Sequence, residues 1–81
     1  MPAGIIEIDL HNRNKTQSRT AIDAALRRAD RGTYRLRIIH GYNRGTELKE
    51  MLLEEYSSHP LVLRIQTYPN KGQTDLILRE L

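Results

Sequence analysis

The sequence predicts a two-layer α/β sandwich in the order βαβαββ, with a four-stranded mixed sheet and two helices on one face. Three observations predict it. Apolar residues alternate over 5–11 and again over 34–40. Each of these runs gives way to a loop and then to apolar residues at helical spacing. Two further apolar runs flank the turn formers Pro69-Asn70-Lys71-Gly72. Strand–helix–strand crossovers are right-handed, which puts both helices on the same side of the sheet.

The elements follow in order. Ile6, Ile8 and Leu10 alternate with Glu7, Asp9 and His11, so 5–11 reads as a strand with one polar face. Asn14 is a good N-cap and Gln17 completes a capping box; Ile22, Ala25, Leu26 and Ala29 then recur at helical spacing until Gly32 closes the helix. Tyr34, Leu36 and Ile38 alternate with Arg35, Arg37 and Ile39 in a second strand that ends at His40. Leu48, Met51, Leu52 and Tyr56 mark the buried stripe of a helix from about Thr46 to Tyr56, which stops ahead of His59-Pro60 because a residue before proline avoids helical geometry. Residues 61–68 read as a third strand, and Thr74 to Leu81 as its antiparallel partner. The open face then carries Glu7, Asp9, Arg35, Arg37, Arg64 and Arg79, which pair across strands as a surface ladder. Residues 1–81 make one domain, without repeats or low-complexity segments.

Composition narrows the function. The chain has no Trp, Phe or Cys, so its core is aliphatic and it carries neither disulfides nor a thiolate metal site, as suits a reducing cytoplasm. No apolar run approaches membrane-spanning length, and Met1-Pro2-Ala3-Gly4 has no leader character, so a membrane partner is not expected. The net charge is +3, and arginine outnumbers lysine among the thirteen basic residues. Its planar fork suits phosphate. Arg13, Lys15 and Arg19 occur within 10–20 with no carboxylate beside them, Arg44 and Lys71 fall in other loops, and Glu47, Glu50, Glu54 and Glu55 gather in the second helix. This asymmetry points to a polyanionic partner, nucleic acid, taken up by a monomer.

Two histidines end the first two strands, His11 after Asp9-Leu10 and His40 before Gly41. If those strands are parallel neighbours, their carboxyl ends share the edge where open α/β sheets build ligand sites, and both imidazoles face one cleft. Phosphodiester cleavage needs a proton taken from the attacking oxygen and one given to the departing oxygen, which two imidazoles can share. Asp9, two residues before His11, holds its ring in one tautomer. The same Asp9-x-His11 pair can instead contribute to a divalent cation site, Mg or Mn, although no third and fourth ligands stand out and no metal ligand is assigned. The loop Gly41-Tyr42-Asn43-Arg44-Gly45 precedes a helix start, and Asn14 and Lys15 open the other helix. Unpaired N–H groups there, with Asn12, Arg13, Lys15, Arg44 and Lys71, can hold a phosphate while Tyr42 stacks on a base.

These segments resemble the Smr (small MutS-related) domain family, and in particular its short stand-alone bacterial members. The family's D-L-H segment falls on Asp9, Leu10 and His11, and its second signature on His40 and Gly41 with a last glycine at Gly45; the ending from Gly72 to Glu80 is similar as well. The resemblance implies a sandwich like the C-terminal domain of translation initiation factor 3, nucleic-acid binding and, for many members, endonuclease activity on DNA or RNA. Two positions depart from the pattern, Asn12 and Asn43, where glycines are usual. The leading reading is an endonuclease with His11 and His40 as acid and base. Its rival is a binding module that uses the same basic cleft without cleavage, and a third reading makes the glutamate-rich helix a protein-binding surface.

Overall fold

The computed structural model describes residues 4–41, 45–69 and 72–80. Its elements are β1 (Ile5–Asp9), α1 (Lys15–Arg28), β2 (Arg35–Ile39), α2 (Gly45–Glu55), β3 (Arg64–Thr67) and β4 (Gln73–Ile77). They form one four-stranded mixed sheet in the order β1-β2-β4-β3, with β1 parallel to β2 and β4 antiparallel to both neighbours. β4 therefore pairs with β3 as the sequence predicts, and also lies against β2 in the middle of the sheet. No described helix is long and apolar enough to cross a membrane.

α1 begins where its cap dictates. Asn14 has extended geometry, its Oδ1 accepts the Gln17 amide at 2.8 Å, and Gln17 Oε1 accepts the Asn14 amide at 3.0 Å. Such a cap is worth about 1 kcal/mol. The helix ends earlier than Gly32. Ala29 is already extended, and Asp30 Oδ1 accepts the Gly32 amide at 2.8 Å, so an aspartate turn draws the backbone out of the helix before the glycine is reached.

The strands are shorter than the apolar runs suggest because local turns claim their ends. After Asp9 the Leu10 amide still donates to the Ile39 carbonyl at 2.7 Å, but Asn12 then adopts φ 66° and the Arg13 amide closes a turn on the Leu10 carbonyl. Residues 61–63 turn out of His59-Pro60, with the Val62 amide on the His59 carbonyl, before β3 starts. At the end of β4 the Leu78 amide makes one more in-register bond, to the Tyr34 carbonyl, and the Arg79 amide then converges on the same oxygen, which ends the ladder.

Both helices pack on one face. Leu10, Leu36, Ile38 and Leu76 from the sheet side meet Ile22, Ala25 and Leu26 of α1 and Leu48, Met51 and Leu52 of α2 in one buried cluster. Each buried Leu, Ile or Met side chain contributes about 1.5–3 kcal/mol of burial. A polar seam closes the helix pair: Tyr56 donates its hydroxyl to Asp23 at 2.7 Å, and Arg19 forks onto Glu55 at 2.6 and 2.8 Å.

The opposite face departs from the expected ladder. Arg64 pairs with Glu80 and Arg35 with Asp75, whereas Arg37, in register between Glu7 and Asp75, forms no ion pair with either. Asp9 turns to His11 instead. Asp75 has no place for Arg37. It is fully buried, and its carboxylate is already filled by Arg35 Nη1 and the Tyr68 hydroxyl, both at 2.8 Å, and by Gln73 Nε2 at 3.0 Å.

Candidate nucleic-acid interface

The carboxyl ends of β1 and β2 lie side by side, and Asp9 and His11 form a hydrogen-bonded pair at that edge. Asp9 Oδ1 accepts the His11 amide at 3.1 Å and its Nδ1 at 2.5 Å. These hydrogen bonds, with a smaller contribution from the Arg13 charge, hold the Asp9 carboxyl below its usual range, so it is ionised and can only accept. Nδ1 therefore carries the proton. In the neutral ring Nε2 is then an acceptor, and among the described residues nothing occupies it. Both side chains are open to solvent, at 61% for His11 and 57% for Asp9.

His40 does not share that cleft, and the expectation of two imidazoles facing one pocket is corrected here. The ring is only 4% exposed, with Nδ1 3.0 Å from the Gly41 carbonyl and Nε2 2.9 Å from Thr74 Oγ1. Since a carbonyl only accepts, Nδ1 donates to it, and in the neutral ring Nε2 accepts the Thr74 hydroxyl. The physical reason is strand parity. His40 follows Leu36 and Ile38 on the side chains' core-facing register, whereas His11 follows Glu7 and Asp9 on the polar one.

Glycines hold this junction together. Gly41 has φ 74°, a conformation favouring glycine, and a Cβ there would sit 3.5 Å from His11 Cβ. The Gly72 carbonyl accepts the His40 and Gly41 amides at 2.9 and 3.1 Å, and a Cβ on Gly72 would lie 2.7 Å from Gly41 Cα. Gly72 and Thr74 support the site, although the sequence marks them only as a turn former and a strand start within the ending that resembles the family. Gly72→Ala is expected to push the Gly41 backbone away from His11 and to cost about 1–3 kcal/mol, the range for overpacking a tight site. Thermal unfolding checks this: an unchanged midpoint would show that the junction yields without cost.

The remaining predicted contacts divide. Asn12 takes the left-handed turn that the usual glycine would take, and Arg13 is exposed beside the dyad. Lys15, in the first turn of α1, reaches Glu47 of α2 at 3.9 Å, so the two helix starts do adjoin, but Glu47 brings a carboxylate to the positive end of α2 and partly neutralises Lys15. Gly41 lies beside His11, and Gly45 opens α2. Tyr42, Asn43, Arg44 and Lys71 fall outside the described residues. Among the described residues no group of three or more His, Asp or Glu side chains is arranged to hold a metal ion. Asp9 and His11 alone do not complete the donor set of a divalent cation. A cleft of about 400 Å³ lies elsewhere, between the helices and lined by Asp23, Leu26, Tyr56, His59 and Leu61.

The β1-β2 edge of this two-layer α/β domain thus carries an ionised aspartate, an exposed imidazole and an exposed arginine. The chain belongs to the Smr domain family, whose model matches residues 8–75. It is similar to the crystal structure of the Smr domain of Thermus thermophilus MutS2, with a TM-score of 0.77 and 26% identity over 93% of this chain and 99% of that one. No curated protein matches it. The family is one of nucleic-acid-binding, MutS-related domains known for nicking.

Proposed function

We propose that this Smr domain binds a nucleic-acid backbone at the β1-β2 edge and nicks a phosphodiester there. The observation that carries the reading is the 2.5 Å contact between Asp9 and His11 Nδ1, which leaves Nε2 facing solvent as a proton acceptor. In the proposed step Nε2 takes a proton from a water whose oxygen attacks phosphorus. The bond to the leaving sugar oxygen breaks, and solvent returns a proton to that oxygen. Asp9 stabilises the imidazolium as it forms. Arg13 and the loop residues Tyr42 and Arg44 hold the substrate, and Lys71 adds positive charge. His40 serves as a positioning residue: it ties Gly41, and through it the backbone beside His11, to Thr74 in β4.

The second reading, a binding module without cleavage, is favoured by one observation. With His40 buried, a single exposed imidazole stands at the edge. Labelled single-stranded, duplex and branched substrates, titrated at two salt concentrations and scored for both retention and scission, separate the two. Scission supports the proposal, and salt-sensitive retention with no scission replaces it with the second reading. In the same titration Arg13→Gln is expected to lower the slope of log affinity against log salt by about one unit, the loss of one phosphate contact.

A further inference from the structure

Between Arg13 and Arg31 stand six basic residues, and the structure divides them. Lys15 and Arg19 turn toward α2, where Glu47 and Glu55 take them. Arg13, Arg27, Arg28 and Arg31 are exposed and pair with no carboxylate among the described residues. The two carboxylates of the same stretch are already engaged, Asp23 by the Tyr56 hydroxyl and Asp30 by the Gly32 amide. Between Lys15 and Arg27 the fully exposed side chains of α1 are neutral, Thr16, Gln17 and Thr20, with the Thr20 hydroxyl returned to the Thr16 carbonyl at 3.1 Å, while half-buried Arg19 and Asp23 are held by Glu55 and Tyr56 of the α2 side. A helix of this length runs about 21 Å, so unpaired positive charge stands at both ends of a middle whose fully exposed side chains are neutral.

We infer that the outer face of α1 seats a nucleic-acid duplex, with Arg13 on the backbone at one side of a groove and Arg27, Arg28 and Arg31 on the backbone at the other. The inference rests on the nucleic-acid reading above and extends it from the sheet edge along the whole of α1. Charge complementarity selects the occupant, because the four guanidinium groups of Arg13, Arg27, Arg28 and Arg31 outnumber the two carboxylates of the same stretch, Asp23 and Asp30, and form ion pairs with neither. Their spacing selects the duplex. A major groove about 12 Å wide, with a phosphate row on either side, fits two cationic ends and a neutral centre. A single strand laid along the helix presents phosphates over that centre as well, where the cation, Arg19, is already taken by Glu55. α2 offers the contrary face, with exposed Glu50 and Glu54.

The test compares the wild-type chain with the triple variant R27Q/R28Q/R31Q, each checked for an unchanged thermal midpoint. The probes are a DNA duplex of about two helical turns and a single strand of the same length, with binding read by fluorescence anisotropy. On the duplex the triple variant is expected to bind about tenfold or more weakly and to lose about two to three units of salt slope, while its single-strand affinity stays within about twofold. Unchanged duplex binding and slope would overturn the inference and leave the sheet-edge reading intact, and an equal loss on the single strand would overturn the duplex geometry. A wild-type chain that bound neither probe would fail the nucleic-acid reading itself.

Discussion

His11→Ala is expected to lower strand scission about a hundredfold or more, within the range by which a positioned acid or base accelerates a reaction. Binding and stability should barely move. The imidazole is exposed, its only described partner is Asp9, and Asp9 regains water when the ring is removed. His40→Ala is expected to behave differently, because it strips buried partners from the Gly41 carbonyl and the Thr74 hydroxyl and so lowers the thermal midpoint together with the rate. Scission kinetics measured beside melting curves decide the matter. If His11→Ala cuts as fast as wild type, Nε2 is not the proton acceptor. The pH profile adds a check with a definite sign: the carboxyl of Asp9 is depressed from its ordinary 3.8, so its contribution is present above that value and lost only as pH falls through the depressed one. A loss of rate between neutral pH and about pH 5 therefore does not come from protonation of Asp9.

Asp75→Ala carries the largest expected effect on stability. The carboxylate is fully buried under the open face, and its removal leaves the Arg35 guanidinium, the Tyr68 hydroxyl and the Gln73 amide without their shared acceptor. Breaking a buried pair from one side costs about 3–5 kcal/mol, and the partial exposure of Arg35 places this site near the lower end. Total stability for a chain of this size is about 4–12 kcal/mol, so the loss is a large fraction of it. Thermal unfolding followed by circular dichroism should show a midpoint lower by about 10 °C or more. A fall of only a few degrees would mean that water replaces the carboxylate at little cost. The network also touches alkaline stability: burial and the Asp75 hydrogen bond raise the Tyr68 hydroxyl above its usual 10. Its contribution is present below that value and is lost as pH rises through the raised one.

How much of this was legible in the sequence depends on whether the deciding interaction is local. The capping box of Asn14 and Gln17, the helical spacing of Leu48, Met51 and Leu52, and the left-handed tolerance of Asn12 are local and were readable. Gly32 misled because its competitor, Asp30, makes a turn from two residues away and ends the helix first. His40 is the instructive error. Strand parity already set it among Leu36 and Ile38 and set His11 among Glu7 and Asp9, but equivalent positions at two strand ends suggested a common direction that alternating side chains do not share. Asp75 was not legible at all: its burial needs Arg35 from β2 and Tyr68 from beyond β3, which only the order of strands brings to it.

That order has a consequence for how the molecule is made. β4 is the last strand in chain order, yet it joins β2 to β3, so a nascent chain synthesised only as far as Gly72 has β1 and β2 able to pair and β3 with no neighbour to receive it. The sheet closes only after residues 73–77 have left the ribosome. Until then the apolar sides of α1 and α2 have an incomplete floor, and β3 can join the sheet only with or after β4, the strand that carries it.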